Sequence, residues 1–478
     1  MSALMLLQAV ADTLPQVADT VAPLADTVQT AAERLAAARA GLDTPIAARL
    51  VGILGVATMI GIAVALSYDR KRIDWRLVGA GLGLQAVLGL IVLKTGPGRA
   101  FFDAVGAAIT GLLGFQEQGA RFVFGNLVQS NVPVGLPGAA GTLDTAAGYV
   151  ANTGAFFAFY VLPTIIFFSS LMSVLYYLNI MQAIVKGIAW VMQKTLRTSG
   201  AETLSASGNI FLGQTEAPLL IKPFVKTFTP SELNTVMVGG FATVAGGVLA
   251  AYVGMLSGYF PGIAAHLLAA SVMNAPAGLY LSKIIRPETG DPVTKGDLRM
   301  EVEKTDTNVI EAAASGAAQG VQLAINVAAM LMAFVALVAL FNYLLGWAGG
   351  LVGVDGLSLQ GILGFLLRPL AWVMGTPWQD TAYVGGLIGV KTTLNEFVAY
   401  AQFGSDLATG VALSPRSAVI LTYALLGFAN FSSIAIQIGG IGGLAPERRG
   451  EIARFGLRAM VAGNLAAFTS ASIAGMLV

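Results

Sequence analysis

The chain has no cysteine and a single histidine, His266. No disulfide can brace it, and neither a thiolate nor a multi-histidine metal centre can be assembled. It is also poor in charge. Only 11% of its 478 residues are Asp, Glu, Lys or Arg, against about 25% in an ordinary soluble protein. A net charge of +1 provides no basic field for nucleic acid or an anionic surface. No Gly-x-Ser-x-Gly or His-Glu-x-x-His motif is present, and no Gly-Lys-Ser/Thr follows the glycine pairs, which argues against a hydrolase and a phosphate loop. What is abundant is apolar sequence, 56% of the chain. A spanning helix needs about 20 largely apolar residues, so the chain reads as an all-α polytopic membrane protein.

Hydrophobic spans are expected at 46–66, 77–95, 156–180, 234–256, 262–285, 317–347, 417–440 and 455–477. Residues 97–150 read as an amphipathic stretch on the outer side with a Gly/Pro-rich loop at 130–142. The basic groups Arg70, Lys71, Arg72 and Arg76, then Lys186, Lys194 and Arg197, then Arg286, Lys295, Arg299 and Lys304, then Arg448 and Arg449, all fall inside if both termini are outside. This is the pattern of a multi-pass protein of the cell (inner) membrane. Residues 1–45 differ from the rest. Ala-Asp-Thr recurs at 11–13, 18–20 and 25–27, interrupted by Pro15 and Pro23. That segment reads as a surface-lying or partner-contacting amphipathic helix, or as a tail without fixed structure. It lacks the basic n-region of a signal peptide.

Residues 188–225 and 364–409 are too broken by Gly, Pro and polar residues for simple spans and suit re-entrant hairpins, tolerated at membrane depth only within protein or along a wet cavity. Each carries one carboxylate, Glu216 or Glu396. A charge at that depth costs at least about 2.5–3.5 kcal/mol, so something must compensate it. Each glutamate is followed by a similar segment, Gly240-Phe-Ala-Thr243 or Gly427-Phe-Ala-Asn430, and then by a glycine pair, Gly246-Gly247 or Gly439-Gly440. The hairpins enter from opposite sides by the topology count, an inverted repeat that points to a transporter with a midplane site. The expected divisions are 1–45 (N-terminal segment), 46–180 (first helices and outer interfacial helix), 181–300 (first hairpin and following helices) and 301–478 (a scaffold helix, the second hairpin and the last two helices).

The repeats supply Asn209, Gln214, Thr215, Glu216, Thr243, Glu396, Asn430, Ser432 and Ser433. These are neutral hydrogen-bonding groups plus two strong acceptors, and the nearest base to Glu396 is Lys391. A phosphate or carboxylate substrate would call for Arg, Lys or helix N-termini. An uncharged, polyhydroxylated substrate with an amide-bearing ring fits better. A carboxylate accepts sugar hydroxyls, Gln214 matches a base edge, and Phe428 or Phe431 offers a ring face. Each of these residues also has a plainer reading. The glutamates could accept hairpin-tip amides, Asn430 and the serines could cap an unwound helix, and Phe431 could be core. His266 reads as a satisfied or interfacial residue, not a proton relay. Asn326 reads as a helix–helix hydrogen bond, and the glycine pairs as sites of close packing or unwinding.

Three ordered segments, Gly213-Gln-Thr-Glu-Ala-Pro-Leu-Leu-Ile-Lys-Pro-Phe224, Asn395-Glu-Phe-Val-Ala-Tyr400 and Gly427-Phe-Ala-Asn-Phe-Ser-Ser-Ile-Ala435, resemble the signatures of the concentrative nucleoside transporters. The resemblance covers about 46–478. It implies a homotrimer with eight spanning helices per protomer, two opposed re-entrant hairpins, and a site between the hairpin tips and two unwound helices. It also implies that Gln214, Thr215 and Glu216 face the nucleobase, that Phe428 packs near it, and that Glu396, Asn430 and Ser433 hold the ribose. A sodium site would use side-chain oxygens of Asn209 and Thr243 with the carbonyls of Leu212 and Val244. Thr243 stands where a bacterial pattern has serine, but keeps the hydroxyl. The Gly213-Gln214 pair resembles members that take purines as well as uridine-like nucleosides. The expected activity is sodium-coupled nucleoside import by alternating access, with sodium as coupling ion and no cofactor. The alternatives are proton coupling through a buried glutamate, a passive channel and, remotely, an intramembrane enzyme.

Overall fold

The computed structural model describes residues 44–129, 131–133, 136–137, 143–144, 150–152, 157–296, 306–351, 353–411 and 413–478. The Ala-Asp-Thr repeats of the N-terminal segment lie outside these, as do Arg299 and Lys304. Eight helical stretches among the described residues are long and apolar enough to cross a membrane.

The chain opens with α1 (Ile46–Ala65), α2 (Trp75–Lys94) and α3 (Gly96–Phe124). Asp74 caps α2 by accepting from the N–H groups of Arg76 and Leu77, satisfying donors that a helix start leaves bare. By length and composition α3 could itself cross a membrane, a possibility that the amphipathic reading of 97–150 did not include. Gly106 of α3 lies against Ala264 and Ala265 in the first turn of a later helix. The Gly/Pro-rich loop is not wholly irregular. It supplies one strand to each of two short antiparallel ladders, β1 (Asn131–Pro133) with β4 (Val150–Asn152) and β2 (Leu136–Pro137) with β3 (Leu143–Asp144).

After α4 (Leu162–Tyr177) and α5 (Ile180–Leu196), Arg197 in a left-handed conformation ends the helix. The Ser199–Glu202 capping box then starts α6 (Gly200–Gly208). A turn at 209–216 leads into a 3-10 arm, Ala217–Thr227. The first hairpin is therefore narrower than the expected 188–225, because α5 is a separate helix. A second capping box, Thr229–Glu232, starts α7 (Pro230–Ala242), which breaks at 243–245 and resumes as α8 (Gly246–Leu256).

Then come α9 (Ile263–Ile285) and the long α10 (Val309–Leu351), which exceeds the expected 317–347. The second half repeats the scheme. After α11 (Leu359–Val373), a hairpin forms from α12 (Thr381–Thr393) and α13 (Glu396–Ala408). A broken helix follows, α14 (Pro415–Leu425) and α15 (Phe431–Leu444), and α16 (Arg449–Leu477) closes the chain. The second hairpin again starts later than expected, since α11 is a separate helix packed on α12.

Unlike the largely buried α7–α8, α9 and α16, α10 is mostly exposed. Its main partner is α4, where Gly316 and Gly320 let the backbones close on Ser169 and Ile166, as small residues do in membrane helix pairs. Asn326, expected to bond across helices, accepts instead from Gln322 one turn earlier in the same helix (3.0 Å). His266 packs on Phe260 and Tyr423.

Candidate functional site

The two breaks lie back to back. The N–H of Phe428 donates to the Thr243 carbonyl (3.2 Å). Gly427 sits at φ 114°, where a Cβ would come within 2.7 Å of the Phe241 carbonyl oxygen. Only glycine meets both demands. Each break is supported by an asparagine of a neighbouring helix. Asn274 Nδ2 donates to the Ala242 carbonyl (2.7 Å) and Asn464 Nδ2 to that of Ala429 (2.9 Å). Unwinding thus falls at 426–430, whereas Gly439 and Gly440 lie inside α15.

Both hairpin tips meet these breaks around one cavity of about 140 Å³, against roughly 10–15 Å³ needed for one water on the same measure. Its walls include Gln214, Thr215, Glu216, Glu396, Phe428, Asn430 and Ser433, all seven of the residues singled out above for substrate. Ser432 and Asn395 line it as well, and Leu323, Val327 and Leu331 of α10 close one side. Phe431 does not line it and is 52% exposed, so neither the ring-stacking nor the core reading holds for that residue.

Glu396 opens α13, where the positive end of the helix dipole favours a carboxylate. Its two oxygens accept from the Tyr252 hydroxyl (2.9 Å) and from Asn430 Nδ2 (3.0 Å). An ionised carboxylate offers about four lone-pair sites, so acceptor capacity remains for a ligand. Asn430 Oδ1 meanwhile caps α15 by accepting from the Ser433 N–H (2.9 Å), so capping and site roles coexist. Glu216 Oε2 accepts from the Gly213 N–H (3.0 Å), bracing its own tip as the plainer reading supposed. Gln214 donates to Ser433 Oγ (3.1 Å) and accepts from Gln437 Nε2 (3.1 Å).

Two contributors to the site, and one buried base outside its lining, were missed from sequence. Tyr252 and Gln437 resemble ordinary residues of apolar helices. Lys391 was noted only as the nearest base. It is buried, donating to the carbonyls of Ala424 (3.0 Å) and Leu426 (3.4 Å).

Beside the cavity, the first tip touches the first break. The N–H of Gly246, two residues beyond Val244, donates to the carbonyl of Phe211, next in sequence to Leu212 (2.8 Å). Asn209 is fully buried against Gly239, and both of its amide atoms lack a hydrogen-bond partner. Thr243 Oγ1 gives its proton to the Gly239 carbonyl (2.9 Å), leaving its lone pairs free. An orphaned buried amide oxygen, a free hydroxyl oxygen and nearby carbonyls form a donor set that fits a hard monovalent cation.

Two hairpins, two broken helices and a shared polar cavity define a multi-pass membrane transporter. Profiles described as the N-terminus and C-terminus of Na+ dependent nucleoside transporters match residues 54–127 and 266–475, and one described as nucleoside recognition (Gate) matches 158–259. Over 431 residues the chain is 46% identical to the uncharacterized transporter YutK of Bacillus subtilis, covering 90% of this chain and 99% of that protein. Over 443 residues it is 42% identical to sodium/nucleoside cotransporter 1 of Rattus norvegicus, covering 90% of this chain and 64% of that one. CNTnw in an inward-facing, substrate-bound state aligns with a TM-score of 0.79 and 45% identity over 90% of this chain and 98% of that chain. An outward-facing CNTnw variant aligns at 0.81, also with 45% identity, over 91% and 98%. The chain belongs to the Na+ dependent, or concentrative, nucleoside transporter family. Its family and structural neighbours are transporters, not enzymes.

Proposed function

We propose that this protein imports nucleosides by alternating access, driven by an inward sodium gradient. The observation that carries this reading is the convergence of both hairpin tips and both helix breaks on one cavity, with one carboxylate from each half. In it Gln214, Thr215 and Glu216 meet the base, Phe428 packs near it, and Glu396, Asn430 and Ser433 take the ribose hydroxyls. Glu396, already held by Tyr252 and Asn430, is fixed in orientation before substrate arrives, so binding costs little reordering. Asn209 Oδ1, Thr243 Oγ1 and the carbonyls of Leu212 and Val244 hold sodium, which joins the first hairpin to the first break and completes the wall that bears Gln214. Purines enter beside uridine-like nucleosides.

The hairpins re-enter the membrane from opposite faces, and both termini lie outside the inner membrane. The halves 181–300 and 301–478 carry the transport machinery, while α10 serves as scaffold in a homotrimer. Uptake of labelled uridine into proteoliposomes under separate sodium and proton gradients tests this. Concentrative uptake driven by sodium alone is expected. Uptake that ignores sodium and collapses with a protonophore would establish proton coupling, and uptake that never exceeds equilibrium would establish a channel.

A further inference from the structure

Lys391 is a buried cation with no role in the site described above. In an apolar bundle such a charge is expensive and marks function. No carboxylate pairs with it by hydrogen bond or ion pair among the described residues. Its ammonium is held by the carbonyls of Ala424 and Leu426 at the C-terminal end of α14, with the Phe468 ring 5.6 Å away. That helix end carries the negative pole of the half-helix dipole.

Its position has a counterpart in the first half. Asn209 ends the first arm of hairpin one, and its orphaned amide lies against the last turn of α7. Lys391 lies in the last turn of the first arm of hairpin two and reaches the last turn of α14. In both halves a hairpin arm thus faces the carbonyl end of a broken helix. One half presents an uncharged side chain with unused oxygen there, and the other presents a fixed ammonium. Lys391 is five positions from Glu396 on the same hairpin, and no ion pair among the described residues involves either Glu216 or Glu396.

We propose that the Lys391 ammonium is a tethered cation, filling in the second half the place that the coupling ion fills in the first. Hairpin two is then held to its broken helix permanently, and hairpin one only when an ion is bound. One free cation per nucleoside follows. The inference rests on the sodium reading above for its first-half term.

The test uses the full chain in nanodiscs and proteoliposomes. Lys391→Met keeps the stem and removes the charge, and should weaken uridine binding about tenfold or more at saturating sodium. Lys391→Ala should lose binding likewise, recover it with methylammonium but not with tetramethylammonium, and show a steeper sodium dependence as a second ion enters. Reversal potentials of uridine-coupled current in the wild type should give one charge per uridine. Wild-type affinity in Lys391→Met, or two charges per uridine in the wild type, would overturn the proposal. The wild-type measurement decides even if neither variant folds. A wild type that moves no uridine at all would instead sink the functional reading.

Discussion

At the scale of the residue, the site is a set of acceptors whose orientation is fixed before a ligand arrives. Glu396 holds donors on both oxygens, so Glu396→Gln sets an amide N–H₂ against one of two groups that themselves donate. Hydrogen bonds to a charged group contribute about 1.5–3 kcal/mol. Uridine affinity, measured by calorimetry, should fall roughly ten- to a hundredfold, and an unchanged affinity would remove Glu396 from the site. Tyr252→Phe leaves the Asn430 contact intact and should cost less, about 1 kcal/mol. Asn209→Ala should raise the sodium concentration needed for half-maximal uptake several-fold, because it deletes the unpartnered buried oxygen. A wild-type sodium response would refute that ion site. The two glutamates were legible in sequence because a carboxylate in an apolar run has to be explained. Tyr252 and Gln437 were not, since their partners Glu396 and Gln214 lie 144 and 223 positions away and nothing in the local pattern distinguishes them from core.

At the scale of the element, the breaks are the costly parts, and their supports are specific. Asn464→Ala strips the donor from the Ala429 carbonyl, and a buried polar group left unpaired costs about 1–3 kcal/mol. A lowered melting temperature in detergent is expected, with the nucleoside restoring part of it. Gly427→Ala meets both a positive φ and the carbonyls of α7, and should abolish stable folding or uptake. A variant with wild-type melting and uptake would contradict this account of the break. The existence of both breaks was legible from the repeated Gly-Phe-Ala-polar segments. The hairpin limits were less so. A left-handed Arg197 separates α5 from α6, a conformation that composition does not announce, and the short ladders between 131 and 152 are too brief to leave a strand period.

At the scale of the whole molecule, α10 stands apart from the buried helices, yet Leu323, Val327 and Leu331 wall the cavity. The alternating access proposed above would require that wall to separate from the tips. The absence of native cysteine makes this testable without background. Val327→Cys with Ser432→Cys, joined by a short reducible cross-linker, should stop uptake, and reduction should restore it. Undiminished uptake in the cross-linked protein would show that the two surfaces need not part. Multi-pass architecture was legible from composition alone. The arrangement around α10 was not, because an exposed apolar helix and a buried one look the same in a membrane sequence.

The Phe428 N–H and the Thr243 carbonyl share one hydrogen bond, so a group proposed to pack the base is one bond from a residue proposed to hold the ion. Any favourable influence of one on the other is reciprocal by thermodynamic linkage. The factor by which saturating sodium tightens nucleoside binding must equal the factor by which saturating nucleoside tightens sodium. The larger that factor, the smaller the share of carriers that hold the ion without the nucleoside or the nucleoside without the ion.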